Sequence, residues 1–412
     1  MTQAAAPSRP PMLTMAQALD ALLGAARPLA QVESIDTLDA NGRVLAAPVT
    51  STLRVPPADN TSMDGYAMRA ADVPAAGTRL RVSQRIPAGH VGTALEPGTA
   101  ARIFTGGLIP PGADAVVMQE QCAAEGEDVI VNHVPQSGEW VRRAGEDIEA
   151  GSVILPAGTR LTPQALGLAA SVGQAKLDVV RRVRVAVFFT GDELAMPGEP
   201  LKPGAIYNSN RFTLRGLLEN LGCEVSDFGI VPDTLAATRE TLRRAAQGHD
   251  LIITSGGVSV GEEDHIKPAV EAEGRLDMWQ IAIKPGKPLA FGQVSNDAEP
   301  AFFLGLPGNP VSSFVTFLLF VRPFILRLQG VAGVTPRRLP LRADFELKKG
   351  DRRNEFLRAR INAEGGLDLF PNQSSGVLTS TVWGDGLIDN PPNQAIARGD
   401  TVQFIPFDGL LA

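Results

Sequence analysis

Four apolar runs in the second half of the chain each end in glycine or a small polar residue. They are VRVAVFFTGDEL from 183, EVSDFGIVPDT from 224, DLIITSGG from 250 and AFFLGLPGNP from 301. Helical patterns separate them. In FTLRGLLENLG, Leu214, Leu217, Leu218 and Leu221 fall at i, i+3, i+4 and i+7, and Gly222 supplies the stop. Strands that alternate with helices build a parallel-rich sheet covered on both faces, a three-layer α/β domain over 181–329. Ligands of such sheets bind beyond the carboxyl ends of the strands, where these glycines lie.

The flanking sequence has another character. At 412 residues the chain exceeds one ordinary core. MAQALDALL at 15–23 predicts a helix with Thr14 as its N-cap, and LDANGRVLA at 38–46 suggests a second short one. From 54 to 146 short runs such as RLRVSQRI, TAARIF, ADAVVM and DVIVNHV are punctuated by Gly and Pro, which predicts an inserted β domain, a small barrel or sandwich. PQALGLAASVG then reads as helix, so 12–53 and 147–180 form one discontinuous N-terminal helical and linker domain. RLPLRADFELK, EFLRARI and GDTVQFIPF predict a C-terminal all-β domain over 330–412. The fold class is therefore multidomain, α/β plus all-β.

Composition excludes several functions. A net charge of −7 argues against nonspecific nucleic-acid binding, which needs a basic face. FVTFLLFV at 314–321 is too short to span a bilayer and predicts a buried helix. The N-terminus lacks an apolar run for a signal peptide, and two distant cysteines suit reduced thiols in the cytoplasm. With four histidines, no HExxH and no Ser-His-Asp order, a His-built zinc site or acyl chemistry is not indicated.

The strand-end loops carry the candidate site. The first holds Thr190, Gly191, Asp192 and Glu193, the second Asp233, and the third Ser255, Gly256, Gly257, Ser259, Gly261 and Asp264. The fourth runs through Pro307, Gly308, Asn309 and Ser312 into a helix. SGGVSVG suits phosphate, since its backbone amides can approach a ligand closely, but it is neither a Walker A loop nor GxGxxG. Glu193, Asp233 and Asp264 would repel a phosphate unless Mg²⁺ lay between them; the alternative for each is a charge at a helix N-terminus. Asn208, Ser209 and Asn210 precede the leucine-patterned helix and suit a cap. In IAIKPGKP, Lys284 and Lys287 offer positive charge to an oxyanion, unless KPGK is a solvated turn; the adjacent IAI run suggests the edge of the buried sheet. ADNTSMDGYA at 58–67 holds Asp59 and Asp64 on a constrained loop, for which a solvated turn is the plainer reading.

PPADNTSMDGYA, RIFTGGLIPPGADAVV, RRAGEDI, FFTGDEL, NSN, TSGGVSVGEEDH, IAIKPGKP and GLPGNPVSS, in this order, resemble the molybdopterin molybdenumtransferases. This MoeA family includes the C-terminal part of gephyrin, and the resemblance runs from about 12 to 408. It implies a homodimer of four-domain subunits with a molybdopterin-binding α/β domain and a C-terminal β-barrel domain. It also implies a reaction in which Mg²⁺ and molybdate act on adenylyl-molybdopterin, AMP leaves, and molybdenum is loaded. The resemblance makes Asp59, Asp64, Thr105, Asp147, Glu193, Asp233 and Asp264 the candidate catalytic residues. Glu193, Asp233 and Asp264 would hold the metal. The substrate set is Thr190, Gly191, Asp192, Asn208, Ser209, Asn210, Ser255, Gly256, Gly257, Ser259, Gly261, Pro307, Gly308 and Asn309. Lys284, Lys287, Pro288 and Ser312 match the oxyanion pocket, which Arg358 in EFLRARI and Ser375 in NQSSG complete. The family's β region reaches across the dimer, so the acidic loop is expected in the partner's site. The adenylyltransferase of the same route and molybdoenzyme-maturation proteins are the expected partners, with no nucleic acid and no membrane.

Two departures stand out. Gln280 replaces a basic residue common in the family, and NQSSG differs from the usual QGS, leaving Ser374 and Ser375 as alternatives. An adenylyltransferase and a nonenzymatic gephyrin-like scaffold are the competing functions; the extra domains argue against the first, and the lack of a partner-binding extension argues against the second.

Overall fold

The computed structural model describes residues 12–258, 265–297 and 299–411, with Met278 described in its backbone only. The chain folds into two compact units. One gathers the chain up to Glu33, Gly42–Ala46 and the residues from Asp178 onward; the other holds Ser34–Asn41 and Ala47–Leu177.

The first unit is built on a six-stranded sheet in the order Glu224–Val231, Arg184–Thr190, Leu251–Ser255, Ala301–Leu306, Pro288–Val294, Gly274–Gln280. The first four are the four apolar runs, and they pair in parallel. The last two are antiparallel additions with no counterpart in the sequence expectation. Alternation of side chains sorts the central strands between two cores. Val185, Val187 and Phe189 pack with Leu214, Leu217 and the long helix from Pro310, whereas Ala186 and Phe188 pack with Leu242, Ala245 and Val270 on the other face. Both faces are buried, so these strands read as continuous apolar runs. Truncating Phe188 to alanine would cost about 3–5 kcal/mol.

The helices begin and end where the local chemistry requires. Thr14 caps Met15–Ala25 in a capping box with Gln17. Asn208 caps Ser209–Asn220, and Gly222 follows with φ +73°, a conformation that costs other residues steric strain. Thr234 caps Leu235–Ala246. Pro310–Leu328 is 19 residues long and apolar, and 94% of it is buried within the protein, so FVTFLLFV belongs to a core helix.

A second sheet in this unit runs Ile283–Lys284, Asn354–Ile361, Gly386–Asn390, Thr401–Pro406, Leu339–Arg342, with Leu367–Leu369 beside Asn354–Ile361. It corrects the reading of IAIKPGKP. Gln280 pairs with Pro288 at the end of an antiparallel hairpin of the central sheet. Within the intervening loop, Ile283 and Lys284 pair with Asn354 and Glu355 of the C-terminal sheet instead of edging the central one.

The other unit contains a six-stranded sheet, Ala115–Met118, Gly65–Met68, Thr99–Ile103, Thr78–Ile86, Asp128–Val131, Cys122–Glu125. Its end strands do not pair with each other, so the sheet is an open half-barrel, and a separate two-stranded pair, Asn60–Thr61 with Val141–Arg142, lies in the same span. Gly65 permits the closest pairing: a Cβ there would lie 2.0 Å from the Val117 carbonyl oxygen. The helix expected over 38–46 is only one 3-10 turn, Thr37–Asp39. Gly42, at φ +74°, turns the chain out of helix.

Candidate active site

The loops after the parallel strands line a cavity of about 820 Å³ in the first unit. Thr190, buried at the end of its strand, donates from Oγ1 to Asp233 Oδ1 at 3.0 Å. Gly191 follows with φ +145°, a conformation that other residues rarely adopt, and the Glu193 carboxylate lies 2.6 Å from where a Cβ would sit. Ser255 Oγ donates to the Pro307 carbonyl at 3.0 Å. Asn210 Nδ2 donates both to Ser255 Oγ and to the Gly308 carbonyl, each at 2.8 Å. One side chain thereby ties three strand-end loops together. Gly256, at φ +99°, packs so closely that a Cβ would sit 2.8 Å from the Thr190 carbonyl oxygen.

Cations also line the cavity, from the hairpin loop and the C-terminal region. Lys284, Lys287, Pro288, Ser312, Arg353, Gln373, Ser374 and Ser375 all line the cavity. Lys284 Nζ lies 3.1 Å from Glu355 Oε1 and 3.4 Å from Asp351 Oδ2. Asp351 also takes two side-chain bonds from Arg353, at 3.0 Å each. The Arg353 guanidinium, opposed by partial burial, holds the Asp351 carboxyl far below the usual carboxylate range. Lys287 makes no ion pair among the described residues. The Val311 amide donates to the Ser375 carbonyl at 3.0 Å, which attaches the serine loop to the start of the long helix.

Most residues expected from the sequence meet at this cavity, with exceptions. Asp192 and Ser209 are outside its wall. Arg358 is fully buried and bonds to Ser380 Oγ and to the carbonyls of Phe356 and Ser374, so it supports the wall from behind. Burial pushes its guanidinium down to about 10. Arg353, five residues earlier, faces the cavity in its place. Ser374 and Ser375 both line it. Ser259, Gly261 and Asp264 lie outside the described residues.

Two polar side chains of the cavity lining, Asn208 and Glu193, are without a hydrogen-bond partner for one group each among the described residues. Asn208 is 2% exposed, and its Oδ1 caps the helix by accepting from Arg211 N at 3.1 Å. That bond fixes the amide orientation and leaves Nδ2 as a buried donor without a partner on the cavity wall. The Glu193 carboxylate likewise has no hydrogen-bond partner among the described residues. No group of three or more His, Cys, Asp or Glu that could hold a metal occurs among the described residues. Glu193 and Asp233 nevertheless fit Mg²⁺, which is commonly held by one or two carboxylates together with substrate phosphate.

The other expected acids are in the second unit. Asp59 accepts from the Ala144 amide at 2.8 Å and from Arg143 Nη1 at 2.7 Å. Asp64 Oδ1 accepts from Thr105 N and Thr105 Oγ1, both at 2.7 Å. These bonds, to the Ala144 and Thr105 amides first, lower both carboxyls below their ordinary range. Asp147 is exposed.

Known proteins share this arrangement along the chain. Residues 13–173 match the MoeA N-terminal region (domain I and II), 186–327 the family described as "Probable molybdopterin binding domain", and 340–407 the MoeA C-terminal region (domain IV). A molybdopterin molybdenumtransferase of Haemophilus influenzae is 40% identical over 97% of this chain and 100% of its own. One from Nostoc is also 40% identical, over 82% of this chain and 79% of its own. Among solved structures, a molybdopterin biosynthesis moeA protein of Pyrococcus horikoshii superposes with a TM-score of 0.84 at 28% identity, covering 96% of this chain and 100% of that one. Three successive domain matches and two relatives of this closeness leave one conclusion: the chain belongs to the MoeA family of molybdopterin molybdenumtransferases.

Proposed function

We propose that this protein transfers molybdenum from molybdate to molybdopterin, using the adenylylated form as substrate and releasing AMP. The observation that carries the proposal is the division of the cavity. Glycine-rich loops and two carboxylates line it from the strand ends, and Lys287 and Arg353 line it from the hairpin loop and the C-terminal region. The amides of the Ser255–Gly257 loop suit the phosphate, and Asn208, whose Nδ2 is a buried donor unpaired among the described residues, belongs to the same lining. Lys287, without an ion pair among the described residues, offers its charge to the dianion. Asn210 keeps the loops at fixed separation, so substrate binding need not order them. Glu193 and Asp233 would hold Mg²⁺, which supplies neutralisation of phosphate charge when bound.

The protein acts as a homodimer in the cytoplasm, with the ADNTSMDGYA loop of one subunit serving the cavity of the other. The rigid bonding of Asp59 and Asp64 suits such a role, because it fixes ionised carboxylates before any partner arrives. The test is AMP release from purified adenylyl-molybdopterin with Mg²⁺, with and without molybdate. Molybdate-dependent release supports the proposal. Consumption of ATP to adenylylate molybdopterin, or no turnover of either substrate, overturns it.

A further inference from the structure

The cationic wall of the cavity is also the wall of a second cavity of about 730 Å³; Lys284, Lys287, Arg353 and Gln373 line both. Behind this wall sit two acids. Glu355 is 4% exposed, and it is held in place by the Asp351 amide, which donates to its Oε2 at 2.9 Å, as well as by Lys284. Asp351 in turn bonds Lys284 and Arg353 together. Among the described residues, two of the three cations facing the cavity therefore have their charge matched, and Lys287 does not.

We propose that Glu355 and Asp351 are positioning residues that cancel the charge of Lys284 and Arg353 and so set how tightly the cavity holds an oxyanion. Burial of Glu355 is the reason for thinking the effect large enough to measure. A buried carboxylate is poorly screened, so it acts on an anion across Lys284 more strongly than a surface acid would. The arrangement makes Lys284 a strut between the hairpin loop and the C-terminal sheet, since its own strand already pairs there. It leaves Lys287 as the principal attraction for the anion. The acids moderate that attraction, which keeps the anion exchangeable.

The inference rests on the oxyanion reading of the cavity, and the experiment separates the two. Molybdate binding to the full-length protein is measured by calorimetry at several ionic strengths, without the organic substrate. Glu355→Gln should bind molybdate about three- to tenfold more tightly, with a steeper loss of affinity as salt is added. Asp351→Asn, at a less buried site, should shift in the same direction and guards against misfolding of the first variant. Lys287→Met should weaken binding more than Lys284→Met. A purely structural role would lower the melting temperature without tightening binding or changing the salt dependence. Wild-type binding with unchanged or weaker affinity in both acid variants overturns this inference alone. Failure of the wild type to bind molybdate at all overturns the oxyanion reading and the inference with it.

Discussion

The acids of the two units are treated in opposite ways. Both oxygens of Asp59 are used by Arg143 and Ala144 of a distant segment of the same unit, and Asp64 is fastened to Thr105. In the cavity, the exposed Glu193 has no partner among the described residues, Asp233 takes one bond from Thr190, and the buried Asn208 amide donor is unpaired among them. A polar group that is satisfied by its own chain is held rigid; one left unsatisfied marks the place where a ligand completes the structure. The first kind can present a charge elsewhere, and the second receives something.

The harshest test of that contrast is Asp59→Asn. If the fastened acid is presented to a partner subunit, activity should fall below detection while the melting temperature is nearly unchanged. Mixed with Lys287→Ala after subunit exchange, it should recover about a quarter of full activity, since about half of the dimers carry one intact site. Full activity in Asp59→Asn alone would mean that the acid serves only its loop. A smaller effect tests the unsatisfied side. Asn208→Asp keeps the helix cap and replaces the donor with a repelling charge, and should lower kcat/KM about a hundredfold; Asn208→Ser, also a capping residue, should lower it about tenfold. Equal, small losses would show that Asn208 is only a cap. Smaller still, Glu193→Gln should raise the Mg²⁺ concentration for half-maximal rate a few-fold, on the order expected for one of several oxygen ligands. No change would remove Glu193 from the metal set.

The weakest effect comes from acid. Bonds from Ala144 and Arg143 depress the Asp59 carboxyl in the folded protein. Their contribution is complete above the unfolded carboxyl's ordinary value and is lost as pH falls through the depressed one. Hydrogen exchange at the Ala144 amide should therefore quicken in that acid window, beyond the intrinsic pH trend, in wild type and not in Asp59→Asn. A flat difference between the two would show that the bond contributes nothing locally.

How much of this was legible in the sequence depended on whether the signal was local. The four strand-end loops could be found because glycine and small polar residues follow apolar runs, and the Leu214–Leu221 face because its period is complete. Thr14 and Asn208 declared their helices by cap chemistry. Long-range pairing had no such trace. Ile283–Lys284 looks like an edge of the nearer sheet, and only its pairing with Asn354–Glu355 reveals otherwise. Arg353 and Arg358 could not be told apart for a similar reason. Phe356, Leu357 and Ala359 are all buried, so the alternation that might have sorted the strand's two faces is absent. Positive charge on the cavity wall was expected from KPGKP, but its cancellation by Glu355 and Asp351 required the fold.

The short pairing of Ile283 and Lys284 with Asn354 and Glu355 makes the C-terminal sheet a structural party to the cavity, together with the Val311–Ser375 bond. A fragment cut after the long helix would keep its strand-end loops intact while its lysine-bearing loop lost the strand it leans on. Such a fragment should still recognise the organic half of the substrate yet handle the inorganic half poorly. Recombining the central domain with a foreign C-terminal domain would then succeed only when both sides of this seam are exchanged together. The chain's modules are separable in sequence, but its two substrates are not apportioned one to each module.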